Sequence, residues 1–131
     1  MPRVHCYSGG CLCGSIRFEA LGPVENPHTC SCTMCQRHTG ALTAVWVEFP
    51  RDRVRWTGAG GAPSTYRSSA FSSRAFCGQC GSSIGAIDDN PTVALLVGCF
   101  DETGLPELSP AAHSFADRLP AWCRLSGAQE T

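Results

Sequence analysis

Three groups of cysteine carry the chemistry open to this sequence: Cys11-Leu12-Cys13-Gly14, Cys30-Ser31-Cys32-Thr33-Met34-Cys35 and Phe76-Cys77-Gly78-Gln79-Cys80-Gly81. The first and third are tight pairs, each followed by glycine. Such pairs form zinc knuckles, in which a turn aims backbone N–H groups at thiolate sulfur and glycine supplies positive φ without a Cβ clash. Two pairs complete a tetrahedral site with Zn–S distances of about 2.3 Å, and a site closed by four protein ligands is structural. Cys11, Cys13, Cys77 and Cys80 are therefore expected to hold a structural zinc that staples the first hairpin to the second half of the chain. A thiol–disulfide pair at Cys77 and Cys80 is the alternative. A redox motif, however, normally opens a helix within a βαβ unit, whereas here glycine and serine follow and a strand resumes.

The middle group differs in kind. Cys30, Cys32 and Cys35 place three thiols within one turn and no fourth in the same segment, so a second zinc with one open position is expected. Three thiolates on Zn²⁺ leave a net charge of about −1, which suits binding an incoming thiol better than making hydroxide. His28, His38, Cys99 or Cys123 could instead close the site. Otherwise Cys6, Cys99 and Cys123 read as small buried hydrophobes, and His5 and His28 as surface or satisfied histidines. A thiol substrate bearing carboxylates would look to Arg37, His38, Arg67 and Arg118, with Arg74 a further candidate. Arg17, Arg51, Arg53 and Arg55 read as solvated strand faces.

The elements that must position these groups are short strands. Glycine and proline recur every dozen residues or so, and the runs between them are β-branched or aromatic. Strands are expected at Val4 to Tyr7, Ser15 to Ala20, Ala44 to Phe49, Val54 to Thr57, Ser64 to Arg67, Arg74 to Phe76, Ser83 to Ile87 and Thr92 to Gly98. Val93 to Val97 is almost wholly apolar, as a central strand would be. One helical turn is expected from Thr33, where Thr33-Met34-Cys35-Gln36 fits a capping box and Gly40 supplies a stop. Asp88-Asp89-Asn90-Pro91 reads as a turn between two strands.

Composition bounds the rest. A chain of 131 residues fits one domain, here 1-125, with 126-131 as a frayed tail. The net charge is −1, all ten basic residues are Arg, and no basic stripe is interleaved with aromatics, so nucleic acid is not expected as a partner. No run approaches the roughly 20 apolar residues of a membrane span. Nor does an apolar stretch follow Met1 as a signal peptide would require, so ten cysteines in 131 residues are read as ligands in a reducing cytoplasm rather than disulfides.

Taken in order, C-x-C-G, then C-x-C-x-x-C with His38-Thr39-Gly40 just after, then Phe76-Cys77-x-x-Cys80-Gly81, resembles the glutathione-dependent formaldehyde-activating enzyme family, which includes centromere protein V-like members. Ala44-Val45-Trp46-Val47, Tyr66-Arg67-Ser68-Ser69, and His113-Ser114-Phe115 followed by Arg118-Leu119-Pro120 extend the likeness from Gly10 to Trp122. Ala121 departs from it by standing between Pro120 and Trp122, where the family often runs proline directly into tryptophan. The resemblance implies a β-tent fold of small packed antiparallel sheets with one or two short helical turns. It also implies a structural zinc at Cys11, Cys13, Cys77 and Cys80 and a labile catalytic zinc at Cys30, Cys32 and Cys35. The implied activity is that of a carbon–sulfur lyase joining glutathione sulfur to formaldehyde. A zinc-stapled binding or metal-buffering module without turnover is the competing function, and a fourth protein ligand at the second site would favour it.

Overall fold

Alternating burial along short strands builds two sheets. This computed structural model describes residues 5–123. Strands β1 (Cys6–Gly10), β2 (Arg17–Leu21) and β5 (Val54–Trp56) form a three-stranded sheet in the order β1-β2-β5. The larger sheet contains β3 (Glu25–Cys30), β4 (Ala44–Pro50), β6 (Ser64–Arg67), β7 (Ser72–Phe76), β8 (Ser83–Asp88), β9 (Thr92–Leu96) and β10 (His113–Ser114). Its order is β10-β3-β4-β9-β8-β7-β6, antiparallel throughout except between β10 and β3. The protein is mainly β, as its sequence implies.

Period-two alternation gives the large sheet two different faces. Val47, Phe49, Ala75, Ile84, Val93 and Leu95 point one way and meet Tyr7, Phe18 and Ala20 of the small sheet in the principal core. Phe18 packs edge-on against Phe100 at 5.3 Å and Trp56 at 6.2 Å. Aromatic pairs of this kind add roughly 0.5–1.5 kcal/mol beyond the area they bury. Ala44, Trp46, Ala86, Ala94 and Leu96 point the other way and pack with Cys30 and Cys35. Strand β9 lies between β4 and β8 and is buried on both faces, which is why its sequence is apolar without alternation.

Among the described residues there is one α-helix, α1 (Thr33–Thr39), which starts at Thr33 as its sequence suggests but is capped differently. Its cap is Cys32, whose sulfur accepts the Cys35 N–H at 3.3 Å. Thr33 is therefore inside the helix, and the Gln36 amide turns to the carbonyls of Ser31 and Leu42 at 3.1 and 3.2 Å instead of completing a capping box. Gly40 ends the helix with φ 74, as anticipated. Four short 3-10 turns (Arg51–Arg53, Val97–Cys99, Pro106–Leu108 and Ala116–Arg118) exceed the one or two expected; the second cuts the expected Thr92 to Gly98 strand short at Leu96.

Strands β3 and β10 were not foreseen. Pro27 and a register shift between Glu25 and His28, with Asn26 at φ 48, hide the period of β3, and β10 is only two residues long. The first strand runs later than Val4 to Tyr7, and Val4 and the tail 126–131 lie outside the described residues. Among the described residues no helix is long and apolar enough to cross a membrane.

Candidate metal centre and thiol site

The two glycine-terminated cysteine pairs occupy the turns that join β1 to β2 and β7 to β8. In the first, the Gly14 N–H donates to the Cys11 carbonyl at 3.2 Å and the Ile16 N–H donates to Cys11 Sγ at 3.2 Å. In the second, the Gly81 N–H donates to the Cys77 carbonyl at 2.9 Å, while the N–H groups of Gln79 and Cys80 both reach Cys77 Sγ at 3.4 Å. Gly14 and Gly81 adopt φ 83 and φ 80, which a Cβ would oppose. The Leu12 N–H donates to Ser82 Oγ at 3.0 Å and ties the two turns together.

The sulfur atoms of Cys11, Cys13, Cys77 and Cys80 all lie within 4.8 Å of one another. Two separations are informative: Cys11 to Cys13 is 3.6 Å and Cys13 to Cys77 is 3.8 Å. A tetrahedron with Zn–S bonds of about 2.3 Å has edges of about 3.8 Å, whereas a disulfide needs about 2.05 Å. The donor set thus fits a tetrahedral thiolate metal, and all ten cysteines are free. The protons are divided unevenly among these thiols. The Ser82 hydroxyl and N–H bring Cys80 down to about 5. The Ser15 N–H pulls Cys13 down, but burial and the three neighbouring thiols outweigh it and raise Cys13 to about 11.

Cys30 ends β3, Cys32 caps α1 and Cys35 sits in its first turn, so a strand end and a helix start converge three sulfurs within 4.8 Å. Among the described residues no fourth Cys, His, Asp or Glu joins them. Burial pushes the Cys30 thiol up to about 12. Burial opposes ionisation of Cys32 too, but the Cys35 N–H and the adjoining thiols bring it below the usual thiol range. The intervening Ser31 is fully buried, and its Oγ bonds His113 Nε2 at 2.8 Å. Strand β10 also accepts the Ser31 N–H at the Ser114 carbonyl, 3.0 Å away, so it braces the cluster from behind.

A cavity of about 640 Å³ opens beside the three sulfurs. Trp46, Ala86 and Ala94 line it, with Met34 and Phe71 exposed beside it. Arg74, from β7, extends over Trp46 with its guanidinium carbon 5.5 Å from the ring centre, and its Nη1 lies 3.6 Å from Cys35 Sγ. The His38 ring is nearly parallel to Trp46 at 6.4 Å. Burial lowers its pKa, and the charge of Arg74 lowers it further.

The other candidates fall in different places. Arg37 is exposed on α1 and lines a neighbouring cavity with His38. Arg67 is bound by Asp89 through both guanidinium nitrogens at 2.9 and 2.5 Å and also holds the Ala70 carbonyl, so it fastens the β6–β7 loop. Arg118 is exposed and lines neither cavity. His28 reaches the 640 Å³ cavity, but its Nδ1 bonds the Asn26 carbonyl at 2.7 Å. Cys99 donates to the Ser83 carbonyl at 3.2 Å, and Cys123 is half-buried. Cys6 is exposed rather than buried, because it starts β1 with its side chain on the solvent face. Arg17 is no idle surface residue either: it pairs bidentately with Asp101 at 2.9 and 2.6 Å.

The sequence profile described as glutathione-dependent formaldehyde-activating enzyme matches residues 6–118. The chain belongs to this family. A Podospora anserina protein named for glutathione-dependent formaldehyde activation is 32% identical over an alignment of 85 residues that covers 61% of this chain and 40% of that protein. The chain therefore spans less than half the length of that curated relative. A crystal structure of a Rhodobacter sphaeroides protein matches 82% of this chain and 99% of its own, with a TM-score of 0.59 at 19% identity. At that identity the likeness is one of fold.

Proposed function

We propose that this chain is a zinc-dependent carbon–sulfur lyase that joins a small thiol, glutathione in the first instance, to a small carbonyl such as formaldehyde. In this reading Cys11, Cys13, Cys77 and Cys80 hold a structural zinc, and Cys30, Cys32 and Cys35 hold the working one. The observation that carries it is the convergence of three sulfurs, with no fourth described ligand, on the wall of a 640 Å³ cavity. Family membership supplies the substrate pair. Bound to the three sulfurs, zinc would supply a Lewis-acid position at which an incoming thiol gives up its proton.

The chain's own residues do the rest. Cys32 and Cys35 are oriented by the start of α1, so their positions are fixed before any ligand arrives. Arg74 sets a positive charge beside Cys35 and offsets the negative charge that thiolates accumulate. Trp46, Ala86 and Ala94 give the cavity an apolar floor that limits water at the reacting sulfur. In the reaction the thiol sulfur bonds to the carbonyl carbon, the C=O π bond opens, and the thiol's proton ends on oxygen to give a hydroxymethyl thioether; the reverse restores both reactants. Free cysteines suit a reducing, cytoplasmic setting.

Exchange NMR tests the proposal by following the interconversion of glutathione and its hydroxymethyl adduct in the presence of formaldehyde. The zinc-loaded protein is expected to accelerate it, and Cys32→Ser to return it to the uncatalysed rate. No acceleration by the zinc-loaded protein would leave the chain a zinc-stapled binding module.

A further inference from the structure

A second cavity of about 580 Å³ adjoins the first at Arg74. Its lining includes Arg37, His38, Tyr66, Ser68 and Arg74, and contains no carboxylate side chain. The first cavity is different, since Glu48 and Asp88 line it. Arg74, Ser68 and Met34 line both. The two cavities therefore share a wall whose only charged group is a guanidinium, and they differ in electrostatic character.

The state of that guanidinium is unusual. Three arginines, Arg17, Arg55 and Arg67, form salt bridges, but among the described residues Arg74 and Arg37 form none. Arg74 Nε is buried with no hydrogen-bond partner, and so is the neighbouring His38 Nε2. A partly buried guanidinium with unmet donors costs free energy unless an anion or water satisfies it. Glu48, the acidic residue of β4 in the first cavity, already accepts from Asn26 Nδ2 at 2.9 Å.

We propose that Arg74 and Arg37 form a carboxylate subsite, so that the preferred ligand is a thiol carrying a carboxylate on the same molecule, its sulfur in the first cavity and its carboxylate in the second. The inference rests on the reading that the three-cysteine cluster receives a thiol. Arg74 is its centre because Nη1 is 3.6 Å from Cys35 Sγ, which places charge within a few bonds of where an incoming sulfur would sit. Planar guanidinium donors match a carboxylate in a way that a lysine would not. Tyr66 and Ser68 add hydroxyls on the same wall. Arg67, one residue away in sequence, is excluded from the subsite by its bond to Asp89.

The test compares 3-mercaptopropionate with 3-mercaptopropionamide, which differ only in the carboxylate, by titration calorimetry on the zinc-loaded protein. The wild type is expected to bind the carboxylate about tenfold more tightly, the worth of one charge-assisted pair. Arg74→Gln should abolish that preference, bringing the two affinities to within about twofold of each other even where loss of the charge beside Cys35 weakens both. Arg37→Gln, on an exposed position that does not threaten folding, should reduce the preference by roughly threefold, as a more solvated pair would. Equal affinity for the two ligands in the wild type, or an equal loss of both in a folded Arg74→Gln, would overturn the subsite. 3-(Methylthio)propionate separates this from the parent reading. Arg74-dependent binding of that thioether, with neither thiol binding more tightly than it, would uphold the subsite and count against the thiol site.

Discussion

The sulfurs of Cys13 and Cys77 lie 3.8 Å apart although 64 positions separate them in the chain. The Leu12 N–H bond to Ser82 Oγ ties the two turns together, while the Cys13 side chain itself is exposed. Metal binding across such a span is coupled to folding and can contribute on the order of 10 kcal/mol. Cys80→Ser should therefore lower the thermal unfolding midpoint severely and release the structural zinc. A zinc-free variant that still unfolds cooperatively at the original temperature would contradict the staple.

The same separations predict the redox state. At 3.6 and 3.8 Å the knuckle sulfurs are too far apart to be bonded and are spaced as metal ligands. Protein purified with zinc under reducing conditions and then denatured in chelator should titrate with all ten thiols free. Disulfide-linked peptides between the clusters, found by mass spectrometry, would argue for redox chemistry at Cys77 and Cys80.

Tyr7 gives a pH signature remote from both cysteine clusters. Its hydroxyl donates to Glu107 at 2.8 Å, and burial, then that bond and the carboxylate's charge, raise its pKa to about 12. The folded protein holds this proton where the unfolded chain, at about 10, has lost it. Its contribution is therefore complete below about pH 10 and declines as the pH rises towards 12. Tyr7→Phe should flatten that part of the alkaline stability curve. An unchanged slope would place the loss elsewhere.

The sequence was most legible where one residue type and its spacing determine geometry. Cysteine pairs ending in glycine place their own turns, and the apolar run at Val93 to Val97 marks a strand buried on both faces. Less legible were features set by contacts distant in sequence. Strand β10 exists because Ser31 and Thr29 need partners for their N–H groups, and two residues carry no period. The helix starts where its sequence places it, at Thr33, but its cap was hidden, because Thr33 has the form of a capping residue and yet the sulfur one residue earlier takes the N–H. Of the arginines, only packing separates Arg74, laid over Trp46 beside a thiol, from Arg67, held by Asp89.

The two clusters should also release metal at different rates. The three-cysteine site is built on a seven-residue helix that can fray without opening the sheets, whereas the four-cysteine site joins distant strands. A modest concentration of chelator should remove about one zinc equivalent quickly and the other slowly. Cys32→Ser should abolish the fast phase and leave the unfolding midpoint nearly unchanged. A single rate for both zincs would mean that the clusters are equally closed.

Zinc K-edge absorption, recorded with and without glutathione, tests the central claim most directly, because it counts the sulfurs around the metal. The account predicts a mixed shell of sulfur with some lighter ligand in the resting protein, turning to sulfur alone when millimolar glutathione is added and unchanged by glutathione disulfide. A shell that is sulfur-only from the outset, or that does not respond to any thiol, would contradict an open three-cysteine site and leave the chain a zinc-stapled binding module.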